Sequence, residues 1–394
     1  MQFNAETYEF TDPGKFTRRM TIVGLVGVLV TAAGYFLDAR QFFFSWLTAF
    51  SFWVTLAIGG LFMTMVHHLT GARWSVVVRR INEAVAITIP LFALLVIPLL
   101  LGMKEVYPWT DSEMMHADSV LASKLPFLNQ PFFVIRTAVY FAVWSFLAWR
   151  LRSISLRQDS GWEPDAKKKF MKVSAPGMIA FALVTTFAAF DWWMSLQPLW
   201  YSTIYGLYFY SGGIVSIMAF LALVVHVLHS KNILANEITI EHKHDIGKLL
   251  FAFMVFWAYM ALSQYLLIWY ANIPEETIFF KDRWIGSWKG VSLFLVIGGF
   301  VVPFILLMSR HMKRSRWGLS VFAIWLLLMH WVDIMWNVSP ILYPEGFVVS
   351  WMDLTAMVGV GALFLARFWS AYTKVPLLPA TDPKLEDSID FVNQ

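Results

Sequence analysis

Residues 42–66 read FFFSWLTAFSFWVTLAIGGLFMTMV. The run holds no charged side chain. Arg40 stands before it, and His67 and His68 follow it. A helix needs about 20 mostly apolar residues to cross a hydrocarbon core. This run meets that length, and its apolar positions do not alternate, so it reads as a spanning helix and not as a barrel strand. Nine further stretches have the same character, near 20–38, 80–103, 131–151, 173–191, 203–229, 248–271, 290–309, 317–337 and 350–371. The composition agrees. Of 394 residues, 58% are hydrophobic and 14% charged, against roughly 25% charged in soluble domains. The expected fold class is all-α integral membrane with about ten transmembrane helices.

Lys and Arg set the direction of the spans. On one side fall 23 of the 30, including Arg79, Arg80, the run Lys167–Lys169 and Arg314. The other side keeps Arg40, Lys104, Lys124, Arg136, Lys281, Arg283 and Lys289. Both termini are therefore expected on the cytoplasmic face, with residues 1–19 as a polar segment, 20–371 as the membrane domain and 372–394 as a loosely ordered tail. Met1–Phe10 is polar and acidic, so no cleavable signal peptide is expected ahead of the first span. Trp109, Trp192, Trp193, Trp200, Trp284 and Trp351 are expected in an outer aromatic belt. The outer connection 104–130 is acidic and reads equally well as a docking surface or as an ordinary loop.

Two helix ends look alike. One is Asp191-Trp-Trp-Met-Ser-Leu-Gln-Pro198, the other Asp333-Ile-Met-Trp-Asn-Val-Ser-Pro340. They close the fifth and ninth spans. At the inner side the second span ends in His67-His68 and the sixth in His226 and His229, each before a short basic loop. Spans 2–5 and 6–9 thus read as two four-helix bundles (about 42–191 and 203–337), flanked by spans 1 and 10. Repeats of this kind recur in transport and energy-coupling proteins. Chance likeness among Trp-rich membrane sequences is the other reading.

Ionisable residues inside a span cost roughly 2.5–3.5 kcal/mol on insertion scales, so each calls for a reason. His330 and Asp333 are three apart on one helix face, where a carboxylate beside an imidazole suits a proton relay or quinol oxidation. A helix–helix hydrogen bond is the plainer alternative. Arg136, one turn inside the fourth span, is either a counter-ion or a snorkelling anchor. Gln264, Tyr265 and Tyr270 on the outer half of the seventh span offer hydrogen bonds to a quinone head group. Near the inner side His67, Glu83, His226 and Lys248 are expected to make a proton-accessible half-channel, unless Arg79 and Arg80 pair with Glu83. A bis-imidazole haem would need His67 or His68 opposite His226. The absence of Cys excludes disulfides, iron–sulfur ligation, zinc–thiolate sites and c-type haem attachment to this chain. No nucleotide loop, hydrolase triad or nucleic-acid patch is present.

The stretches DWWMSLQPLWYSTIYGLYFYSGG (191–213) and SQYLLIWYANIPEET (263–277), with the paired four-helix units, resemble the NrfD/PsrC-type membrane subunits, nearest those of the bacterial alternative complex III. The resemblance covers essentially the whole chain. It implies a bacterial inner-membrane subunit of a quinol:cytochrome c oxidoreductase, with no redox metal of its own. The haems and iron–sulfur clusters would sit in c-type cytochrome and iron–sulfur partner subunits. A related NrfD-like subunit would lie alongside, with a terminal oxidase as a further partner. It implies a proton pathway, with Asp191 at the family's outer acidic position, and the candidates for it among the polar residues are Asp191, His330, Asp333, Glu83, His67, His226 and Lys248. A weaker option is quinone or menaquinone binding by Asp191, Tyr201, Gln264, Tyr265 and Arg136. The sister pattern has a His where this chain has Tyr201, and a phenol with a pKa near 10 is a poorer proton acceptor than an imidazole. A secondary transporter and a purely structural anchor are the rival readings. A lack of Gly/Pro-broken helices in matching positions counts against the transporter.

Overall fold

The computed structural model describes residues 14–393, and among these it is helical with no strand. The polar segment expected over 1–19 lies outside the described residues up to residue 13, and the first helix begins at Gly14. Ten helices are long and apolar enough to cross a membrane. They are α1 (Gly14–Gly34), α2 (Ala39–Thr70), α3 (Trp74–Leu101), α4 (Gln130–Ser160), α5 (Ala166–Leu196), α6 (Tyr205–Ser230), α7 (Ile240–Ala271), α8 (Trp288–Met308), α9 (Arg316–Ile341) and α10 (Trp351–Thr373).

Several run past the apolar stretch that announced them, because polar residues cap them outside it. The Asp38 carboxylate accepts from the Gln41 amide at 2.9 Å, so α2 starts three residues before the expected position 42. Its far end closes on Gly71 in the left-handed region (φ 61°). In α7 a capping box pairs Thr239 with His242, eight residues ahead of the expected start at 248.

The centre is made by α2 and α6, each 83% buried over its apolar window. Where Gly59 and Gly213 meet the other helix, the backbones approach directly. A Cβ on Gly59 would lie 2.6 Å from the Gly213 carbonyl oxygen, and one on Gly213 would lie 2.7 Å from that of Thr55. Glycine is required at both positions because the backbones leave no room for a methyl. Around this pair α2 packs on α3, α5, α9 and α10, while α6 packs on α5, α7 and α9. The outlying α1 is only 11% buried. It runs antiparallel along α10, where Gly27 meets Gly359 and Thr31 bonds Thr355 at 2.9 Å.

Two spans are irregular. The third, expected as one helix over 80–103, is broken into Arg79–Ala86, Ile89–Leu95 and Ile97–Leu101, with Pro90 and Pro98 in the first turns of the later pieces. Proline lacks the amide that would continue the ladder. Side-chain donors add to the carbonyls beside the breaks, Thr88 bonding that of Val85 at 2.7 Å and Trp46 that of Leu95 at 2.8 Å. In α8 the backbone widens to a π-turn over Ile297–Val301, and the Trp325 indole donates to the Gly298 carbonyl at 2.7 Å. Helix breaks are therefore present, but in the third and eighth spans, which are not matching positions when spans 2–5 are set against spans 6–9.

Two expectations are corrected. Trp109, Trp192, Trp193 and Trp200 are not belt residues facing lipid. All four are buried, and three spend their indole N–H inside the protein, on Ser195, Ser51 and the Glu276 carbonyl. Trp284 and Trp351 are exposed. The tail is not loosely ordered either. Its carboxylate Asp382 pairs with Arg79 at 2.6 Å, and Lys384 donates to the Gly71 carbonyl at 2.6 Å. His242 bonds the Ser388 carbonyl at 2.9 Å, Lys248 donates to Asn393 at 2.7 Å and Thr381 donates to the Gln158 carbonyl. Charged composition alone suggested disorder, but complementary loop ends give the tail fixed partners.

Two outcomes follow. Gly213→Ala should lower stability by ~1–3 kcal/mol, the usual cost of overpacking. Gly290→Ala, whose added methyl meets nothing within 4 Å, should leave the melting temperature in detergent unchanged. Removing residues 375–394 should lower the melting temperature and open the 71–75 loop and the first turns of α7 to protease; a tail that can be cut away with neither effect would show that these contacts do not staple the two segments.

Candidate functional site

The two look-alike helix ends take up related local structures. Each leads into a 3-10 turn, Met194–Leu196 at the end of α5 and Ser339–Ile341 at the end of α9. In each, the residue four beyond the Asp returns a hydrogen bond to that Asp's carbonyl, Ser195 at 2.5 Å and Asn337 at 2.8 Å. Each carboxylate also accepts from a tyrosine of a neighbouring helix, Tyr140 at 2.6 Å for Asp191 and Tyr208 for Asp333.

Their charge environments differ. Asp191 is fully buried rather than interfacial. Arg136 of α4 grips it with both arms, Nε to Oδ2 at 2.8 Å and NH2 to Oδ1 at 2.7 Å. The guanidinium lies between Phe127 and Phe132, 3.9 and 4.3 Å from their centroids. A bidentate, desolvated pair of this kind leaves little of the carboxylate free. Asp333 has no ion pair among the described residues. It is held instead by the Tyr208 hydroxyl and by the Trp257 indole of α7 at 3.2 Å. A buried carboxylate without a counter-ion is expensive, and such groups cluster at functional sites.

His330 and Asp333 share a helix face as expected, yet no hydrogen bond joins them. One turn separates them, and each reaches a different neighbour. The His330 Nε2 contacts the Thr55 hydroxyl of α2 at 2.9 Å. That hydroxyl's own hydrogen goes to the Ser51 carbonyl at 2.8 Å, which assigns the imidazole proton to Nε2. Nδ1 is then a bare acceptor, buried and without a partner. It sits over Gly212, beside a cavity of about 20 Å³ lined also by Trp257, Gly299 and Met329. That volume accommodates one water. Trp257 borders the cavity and bonds Asp333, so it spans the gap between the imidazole and the carboxylate.

The other expected groupings do not assemble. Among His67, Glu83, His226 and Lys248 no hydrogen bond or ion pair joins any two among the described residues. Glu83 is claimed by Arg79 and Arg80, each at 3.3 Å, and by the Ser155 hydroxyl at 2.7 Å. His67 bonds Ser75 at 2.5 Å, and His226 bonds Ser320 at 2.7 Å. Lys248 pairs with Asp245 and Asn393. His68 stacks on Phe170 with centroids 3.8 Å apart, away from His226, which lies edge-on to Trp317. Of the quinone-binding set only Arg136 and Asp191 meet, and they satisfy each other. Gln264 is buried against Ser202, Tyr265 faces an apolar cleft, and Tyr270 is almost wholly exposed. Tyr201 is exposed under Lys124, whose ammonium donates to the Pro198 carbonyl at 2.6 Å and whose pKa burial pushes down.

Sequence reasoning missed Tyr140, Tyr208, Trp257, Thr55 and Arg283. Tyr140 carried a signal, four residues after Arg136 on one helix face. Arg283 joins the two motifs. It donates to the Trp336 and Asn337 carbonyls at 2.9 and 2.8 Å and to Gln197 at 3.4 Å. Burial pushes its pKa down to about 10, which leaves it cationic at neutral pH.

No family model matches the chain, and no curated protein matches its sequence.

Arg136→Leu should destabilise the chain by ~3–5 kcal/mol, because it strands a buried carboxylate. The double variant Arg136→Leu with Asp191→Leu should recover most of that loss in a thermal melt. A double variant as unstable as the single would mean that packing of the arginine stem, and not charge, is what matters.

Proposed function

We propose that the chain is a membrane subunit of a respiratory quinol:cytochrome c oxidoreductase of the alternative-complex-III type, and that its own contribution is a proton pathway. The resemblance of residues 191–213 and 263–277 to NrfD/PsrC-type subunits supports the family. The packing order supports the architecture. Helices α2, α3, α4 and α5 contact one another in a ring, α6, α7, α8 and α9 do the same, and α1 lies on α10. Two four-helix bundles with two flanking helices account for this. The complex would lie in the bacterial inner membrane, both termini cytoplasmic, beside a related membrane subunit, an iron–sulfur subunit and c-type cytochromes.

One observation carries the mechanism. Of two carboxylates in like motifs, Asp191 is neutralised by Arg136 and Asp333 is not. The first is therefore assigned to structure and the second to proton transfer. In this reading Asp333 takes up the proton, the Trp257 indole, which can only donate, holds the carboxylate in place, and the bare Nδ1 of His330, beside the water-sized cavity, is the next acceptor. Thr55 holds the imidazole in the tautomer that can accept it. The dispersed positions of Tyr201, Gln264 and Tyr265 make quinone binding by that set the weaker part of the proposal. The transporter reading keeps only the irregular α3 and α8 in its favour, and uptake of a substrate by the chain in liposomes would establish it.

Asp333→Asn in the intact complex should cut proton-coupled quinol oxidation roughly 100-fold, the low end of what a positioned proton-transfer group contributes, with the subunits still co-purifying. Asp191→Asn should act chiefly through stability. Full turnover and proton release in assembled Asp333→Asn would sink the relay. A chain that purifies alone, without haem or iron–sulfur partners, would remove the respiratory assignment.

A further inference from the structure

A cleft of about 940 Å³ lies between α7, α8 and the short helix Pro274–Asp282, with Trp257, Phe300 and Trp336 along its wall. Its volume is at the upper end for small-molecule sites. The rim is formed by Leu262, Tyr265, Trp269, Leu293, Val296 and Val301, all exposed apolar or aromatic side chains of two spanning helices. The cleft therefore opens onto the face that meets lipid.

Its polar lining is one-sided. Lys281 and Arg283 belong to it, with Asn272, Thr277 and Ser292, and no Asp or Glu does. Arg283 is buried with its donors on four acceptors, none of them a carboxylate, and its guanidinium lies 3.5 Å from the Phe279 centroid and 5.0 Å from that of Trp336. The Lys281 ammonium has no hydrogen bond or ion pair among the described residues. Lys289 stands nearby over the Trp284 ring at 5.4 Å. Of the acids on the same connection, Asp282 accepts from Gln197 at 2.8 Å, and Glu275 and Glu276 do not line the cleft. Only seven Lys and Arg residues fall at this end of the molecule by sequence, and three of them gather here.

We propose that this cleft binds an anionic phospholipid, its acyl chains lying between α7 and α8 and its phosphate at Lys281 and Lys289. A neutral lipophile would fill the apolar volume equally well but would leave the Lys281 ammonium at its edge uncompensated. Basic pockets between spanning helices select anionic head groups for this reason. The proposal does not rest on the proton relay: Trp257 borders both, but neither Asp333 nor His330 lines the cleft.

The test uses the full chain, purified and delipidated in mild detergent. Phosphatidylglycerol and phosphatidylcholine with identical acyl chains are added back, and binding is read by native mass spectrometry and by thermal stabilisation. Phosphatidylglycerol should half-saturate at roughly five- to tenfold lower concentration. Lys281→Glu should abolish that preference while phosphatidylcholine binding stays unchanged. Leu293→Trp should weaken both lipids by filling the cleft, and Ala258→Phe serves the same purpose if the first variant does not fold. Equal binding of the two lipids, a preference that survives Lys281→Glu, or a neutral isoprenoid lipid as the occupant retained from the native membrane would each overturn the assignment.

Discussion

The close backbone approach of α2 and α6 at Gly59 and Gly213 is the constraint from which the rest of the arrangement follows. Lipid tails offer no hydrophobic drive between helices, so close approach of backbones must supply the packing. Gly59 and Gly213 permit that approach, and the helices around them are placed by it. Thr55 lies on the same seam. Its carbonyl faces Gly213 while its hydroxyl holds His330. The site on α9 is thus positioned by a contact between two other helices.

Polar groups in such an interior are placed by what they can find as partners. The two Asp motifs show how one local solution can serve two electrostatic outcomes. Ser195 and Asn337 close the helix end in the same way, and a tyrosine reaches each carboxylate. The presence of Arg136 beside Asp191, and of only neutral donors beside Asp333, separates a locked ion pair from a carboxylate with an uncompensated charge. Buried ion pairs are weak evidence for net stability, so the Arg136–Asp191 pair is better understood as fixing the α4–α5 geometry than as strengthening it.

Charge also organises the two ends. At the basic end the tail threads past loops of both units, and Arg79, Lys384, His242 and Lys248 all find partners there. At the other end Arg283 ties the two motifs through carbonyls rather than through an acid. Helix ends expose such carbonyls, and a cation satisfies several at once.

The amino-acid sequence by itself determined the ten spans, because transfer into hydrocarbon is a property of each segment's own side chains. It also marked the Asp motifs, since a charge in an apolar run stands out without any knowledge of neighbours. It misjudged the buried tryptophans and the tail, where composition is the same whether a partner exists or not. Only the tertiary structure decided that Arg136 belongs to Asp191 and that His330 belongs to Thr55. It alone separated Glu83, His67, His226 and Lys248 into unconnected settings. Those pairings join residues 55 to 275 positions apart. Which distant side chains meet depends on how helices rotate against one another, and that is fixed by packing across the bundle, not by any local pattern along the chain.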